Sequence, residues 1–126
     1  MIIVKVLEIG PGPAAARLLG GIREENAVVL NPHAVGSCEE LELANYLAEK
    51  SFENGRNIAN KFKYEFLLWL SGTRDIKNAI KKTKPEKNRP FLLVAFSGME
   101  GIKGRKPNLK KEAEPLALER ISLSRL

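Results

Sequence analysis

Short β-branched runs set between helically periodic stretches predict an α/β, more broadly mixed α+β, fold: a small mixed sheet of three to four strands covered by helices, in a single domain over residues 1–126. Three observations carry that expectation. Residues 1–9 (MIIVKVLEI) and 90–96 (PFLLVAF) are apolar and strand-length. Leu41, Ala44, Leu47 and Ala48, and then Phe62, Phe66, Trp69 and Leu70, recur at helical spacing. A chain of 126 residues suits one core, in which roughly two-thirds of the unfolded surface is buried.

The elements follow in order. The first strand is interrupted only by Lys5 and Glu8, and Gly10-Pro11-Gly12-Pro13 ends it. Residues 14–19 suit one or two helical turns before Gly20-Gly21, and residues 27–30 (AVVL) make a short buried strand stopped by Asn31-Pro32. Ser37 and Glu40 form a capping-box pattern opening a long amphipathic helix toward Phe52, closed by Asn54-Gly55. Asn60 is positioned to cap a second helix with one wide apolar face, and Gly72 to end it in the left-handed conformation. Thr73 would cap a third, with Ile76, Ala79 and Ile80 turned inward, Arg74, Lys77, Lys81 and Lys82 outward, and Pro85 as its stop. Residues 90–96 are the clearest buried strand, halted by Ser97-Gly98. Residues 98–111 (GMEGIKGRKPNLKK) lack periodicity and predict a mobile basic loop; Pro115 then starts a helix carrying Leu116, Ala117, Leu118 and Ile121, with a frayed end.

Charge is divided unevenly along the chain. Net charge is +6, yet residues 1–55 hold four basic and eight acidic side chains while residues 56–126 hold seventeen and seven, so the halves carry −4 and +10. A basic half fits a polyanion such as RNA, but on charge alone a solvated lysine-rich face is the preferred reading. No apolar run approaches the ~20 residues of a membrane span, and the amino end lacks a cleavage pattern, so a cytoplasmic protein with no membrane partner is expected. Cys38 is the only cysteine, which excludes an internal disulfide and a cysteine-based zinc site. Absence of Gln and dominance of Glu and Lys suggest a thermophilic source.

Few residues suggest catalysis. Gly10-x-Gly12-x-x-Ala15 has the outline of a dinucleotide fingerprint, but Pro11 and Pro13 remove donors and no acid closes the next strand, so a plain turn is preferred. His33 has no nearby Ser, Cys or Asp to orient it, and Glu39 and Glu40 oppose activation of Cys38 in the first helical turn. Asp75 is the only Asp, so metal-dependent hydrolysis lacks its usual ligands. The chain therefore reads as no enzyme, with no cofactor, metal or small-molecule substrate. The stripe of Phe62, Phe66 and Trp69 suits a core better than base stacking. What remains is Gly72-Thr73-Arg74: a helix start beside a guanidinium suits phosphate, and equally suits an ordinary helix junction.

Gly55-Arg56-Asn57-Ile58-Ala59-Asn60, a helix of about ten residues, then Leu70-Ser71-Gly72-Thr73-Arg74-Asp75-Ile76 and Ala79-Ile80, resemble the kinase-binding subunit family of the KEOPS tRNA threonylcarbamoyl-adenosine complex. Asn31, Val35-Gly36, Glu40 and Phe52 fit the same pattern, as does the closing Leu118-Glu119-Arg120-Ile121-Ser122-Leu123. The resemblance implies a mixed α/β fold and a non-enzymatic adaptor, one that docks on the complex's atypical kinase and recruits tRNA through its 3′ CCA end. It assigns Asn60, Gly72 and Arg74 to the RNA, with Lys61 and Lys77 as auxiliary charge, and Leu118, Ile121 and Leu123 to the kinase face. Two departures stand out: Asp75 replaces a residue that is often Gln, and the stretch between Ser97 and Lys110 is short. The alternative is a general RNA-binding module unrelated to KEOPS.

Overall fold

The structure, a computed structural model, describes residues 3–12, 27–96, 106–107 and 109–125. Three strands, β1 (Ile3–Ile9), β2 (Ala27–Leu30) and β3 (Phe91–Phe96), form a sheet in the order β1-β3-β2. Both pairings are antiparallel, where a mixed sheet was expected. Val94 faces Val6 on one side and Val28 on the other, so β3 is the central strand. Alternation along it sends Leu92, Val94 and Phe96 to one face, and Phe91 and Leu93 to the other with Leu7, Ile9 and Ala27. Both faces of β3 are buried, which is why its sequence is an unbroken apolar run.

Among the described residues, four helices follow the same order as the sequence pattern: α1 (Cys38–Glu53), α2 (Phe62–Ser71), α3 (Ile76–Thr83) and α4 (Pro115–Ser122). They cover one face of the sheet. Leu41, Ala44 and Ala48 of α1, Ala79 of α3 and Ile121 of α4 meet Phe66, Leu68 and Leu70 of α2 in one core with Val28, Leu30, Val94 and Phe96. Phe96 anchors the aromatic contacts, edge-on to Phe62 at 5.2 Å and to Phe66 at 5.4 Å between ring centroids. Helix α2 differs from expectation in being buried at six consecutive residues, from Glu65 to Leu70, rather than along one face. It packs on α1, α3 and α4, so no side of its middle faces water.

Local capping explains most boundaries. Ser37 Oγ accepts from the Glu40 N–H at 3.3 Å and its hydroxyl donates to Glu40 Oε2 at 2.9 Å, both groups buried. The Cys38 and Glu39 N–H groups, left over at the start of α1, donate to the carbonyls of Lys110 and Lys111 at 2.9 and 3.2 Å. The end of the basic segment is thereby tied to α1. Residues 98–105 and 108 of that segment lie outside the described residues, as do residues 14–19. Gly72 ends α2 at φ +69°, as its sequence position required. Two caps differ from expectation. Lys61, not Asn60, is the residue before α2, and it makes no side-chain cap; α3 is capped by Asp75, whose Oδ1 accepts from the Lys77 N–H at 3.1 Å, while Thr73 Oγ1 accepts from the Asp75 N–H at 3.2 Å. No helix among the described residues is long and apolar enough to cross a membrane.

Candidate nucleic-acid interface

Glu65 organises the region. It lies on the apolar stripe of α2, three residues after Phe62 and four before Trp69, and none of its surface reaches solvent. A buried carboxylate is costly unless it is paired and hydrogen-bonded. Its Oε1 accepts from the backbone N–H groups of Ile58 and Ala59, each at 3.0 Å, and its Oε2 accepts from Arg125 Nη1 at 2.6 Å. Burial pushes the Glu65 carboxyl upward, but the Arg125 guanidinium and the Ala59 and Ile58 amides outweigh it and hold the group below the ordinary glutamate range.

The loop before α2 is shaped by these bonds. Gly55 turns the chain at φ +65°, the Arg56 N–H donates to the Ser51 carbonyl at 2.8 Å, and Asn57 Nδ2 donates to the Ala59 carbonyl at 2.8 Å. Residues 55–60 therefore wrap over the end of α1 with their backbone pinned by one carboxylate. Trp69 Nε1 donates to Ser51 Oγ at 3.0 Å, and the Arg125 guanidinium carbon sits 4.1 Å from the Trp69 ring centroid. Beyond α2, Arg74 Nη2 donates to the backbone carbonyl of Arg125.

Together these parts bound a cleft of about 450 Å³, lined by Lys50, Arg56, Ile58, Trp69, Arg74 and Arg125 among others, with no carboxylate among the described residues of its wall. Lys50, Arg56 and Arg74 around one depression make an anion-attracting surface, while the charge of Arg125 is already met by Glu65. Lys50 is partly neutralised by Glu53 at 3.2 Å, and that hydrogen bond raises its pKa. Arg56 and Arg74 are both exposed. Trp69 is only 8% exposed and carries the Arg125 guanidinium on its ring, so it positions charge and offers no open stacking platform.

Of the RNA residues expected from sequence, Arg74 lines this cleft. Gly72 supports it from behind as the cap of α2, and a Cβ there would meet Arg120 Cγ at 3.3 Å. The helix start expected at Gly72-Thr73 lies further on: α3 opens at Ile76, and the Asp75 carboxylate occupies that end. Asn60, Lys61 and Lys77 are exposed but not part of the cleft wall. Lys50, Arg56, Glu65, Trp69 and Arg125 were not among the site residues expected from sequence. The signal for Glu65 was present, as a lone acid on an apolar helical stripe; Arg125 lies 60 residues away with nothing local to mark it.

The expected kinase face divides. Ile121 is fully buried in the protein's own core and has no surface to offer, Leu118 is partly covered, and Leu123 is 54% exposed. Leu116, at 78%, is the largest apolar exposure on α4. Helix α4 is held to α1 by the Arg120–Glu40 pair, 3.5 Å apart. His33 is exposed and its N–H donates to Asn31 Oδ1 at 3.0 Å in a short 3-10 turn, and Cys38 is half-buried and unpaired.

Over 55 residues the chain is 51% identical to the KEOPS complex subunit Cgi121 of Pyrococcus abyssi, a stretch that is 44% of this chain and 32% of that protein. The chain resembles a KEOPS subunit. That similarity bears out the family resemblance read from the residues around the cleft, although the match spans about a third of the relative's length. No model of a known protein family matches the chain.

Proposed function

We propose that this chain is a non-enzymatic adaptor subunit of KEOPS, binding the complex's atypical kinase and recruiting tRNA through its 3′ CCA end for N6-threonylcarbamoyl-adenosine modification. The observation that carries the RNA part is the cleft onto which the exposed Arg56 and Arg74 open, with Arg125 in the same wall paired to Glu65 and no carboxylate among the described lining residues. Guanidinium groups suit phosphate because their planar forks match its oxygens. Single-stranded RNA ends are recognised by such combinations of charge and local shape. The similarity to Cgi121 supports placement in KEOPS. For the kinase, the exposed Leu116 on α4 and Leu123 at its C-terminal cap supply an apolar contact of the kind found at the centre of protein interfaces.

The deciding experiment compares binding of the purified chain to one tRNA with and without its CCA end. Tighter binding to the complete tRNA is expected. Equal affinity for both would defeat the 3′-end reading and favour a general RNA-binding module, and absence of any binding at low salt would remove the RNA role altogether.

A further inference from the structure

Arg125 is the most expensively placed charge in the region. Its Nη1 is engaged by Glu65 at 2.6 Å and lies 3.4 Å from Ser51 Oγ, whereas Nε and Nη2 are buried without a hydrogen-bond partner among the described residues. Leaving two guanidinium donors unmet is unfavourable, and a buried ion pair by itself seldom repays its desolvation. Stability alone is thus a poor reason for an arginine at this point.

Its connections supply a better one. Through Nη1 it holds Glu65, the carboxylate that fixes the backbone of Ile58 and Ala59; through its own carbonyl it receives Arg74 Nη2; and its guanidinium covers Trp69, which is bonded to Ser51 at the end of α1. Three walls of the cleft, far apart in sequence, therefore meet on one residue of the carboxyl-terminal tail. The buried orphan donors are enclosed, so they are not offered to a ligand directly.

We infer that Arg125 is a positioning residue for RNA binding, setting the direction of Arg74 and the alignment of the residue 55–60 loop across the cleft. This rests on the RNA role proposed above and adds to it a residue outside the segments that carry the family resemblance. The side chain locks the tail, the locked tail presents its carbonyl, and the carbonyl fixes one arm of the Arg74 fork while leaving its other donors for phosphate. A phosphate-binding arginine held in its bound direction loses less side-chain freedom on binding.

A double-mutant cycle between Arg74→Ala and Arg125→Gln, read as tRNA affinity, separates positioning from general weakening. Arg125→Gln is expected to weaken binding about tenfold in the unaltered chain, and less than about twofold when Arg74 is already Ala, a non-additivity typical of residues acting as one unit. Arg125→Lys keeps a cation for Glu65 and guards against simple unfolding; folded by circular dichroism, it should still show most of the loss, because a lysine neither stacks on Trp69 nor forks in the same way. Fully additive effects, or affinity unchanged in folded Arg125→Lys, would overturn the positioning role while leaving tRNA binding intact. Failure of the unaltered chain to bind tRNA would overturn both.

Discussion

At the scale of single residues, the Glu65–Arg125 pair decides more than its size suggests. Removing one partner of a buried pair strands the other, so Glu65→Ala, which also frees the Ile58 and Ala59 amides, should cost about 3 kcal/mol in chemical denaturation. The pH dependence has a definite sign. Glu65 is held below its ordinary value of 4.5 in the folded chain, so its contribution is complete above that value and is lost as pH falls through the lower folded-state value. Unfolding midpoints measured from about pH 7 downward should therefore drop through the acid range, and Glu65→Gln should flatten part of that drop; an unchanged acid limb would show that the pair contributes nothing to folding. Half of this device was legible beforehand. An acid flanked by Phe62 and Trp69 at helical spacing has to be buried with a partner, but nothing periodic leads to an arginine in a tail of alternating residues.

Among the elements, boundaries were legible where the chemistry is local and illegible where it is shared. Ser37, Gly72 and Pro115 act within one turn of themselves, and each marks its helix end as its sequence position required. Asn60 and Thr73 were reasonable caps whose places were taken by tertiary and neighbouring groups: Glu65 already serves the amides before α2, and Asp75, one residue from its helix, is the better acceptor. Gly72→Ala forces a side chain into φ +69° and against Arg120, so a loss of roughly 1 kcal/mol, about 3–5 °C in Tm, is expected from thermal melts. Helix α4 divides its work by face. Because Ile121 is core, deleting the tail would confuse unfolding with loss of contact, whereas Leu116→Asp with Leu123→Asp touches only exposed positions. That double variant should keep its stability within about 0.5 kcal/mol and lose association with the KEOPS kinase in a pull-down; retained association would move the kinase interface off α4.

Over the whole molecule, charge asymmetry and the cleft describe one surface at two resolutions. The +10 carried by residues 56–126 was visible as a sum, but a sum cannot distinguish a solvated face from a site. The fold draws Arg56, Arg74 and Arg125 from three separate segments to one depression, while Lys77, Lys81 and Lys82 stay exposed along α3 outside its wall. The two groups of cations should behave differently. If the cleft holds phosphates, Arg74→Ala should weaken tRNA binding and reduce the slope of log affinity against log salt by about 0.7, the contribution of one single-strand phosphate contact. Lys81→Ala, removing equal charge from the same half, should change affinity by less than about twofold at a salt concentration near 0.15 M, where the Debye length of about 8 Å screens charges that make no contact. Equal losses from the two substitutions would mean that the RNA is held by the diffuse field of the basic half, and the convergence of arginines at the cleft would then have no part in recognition.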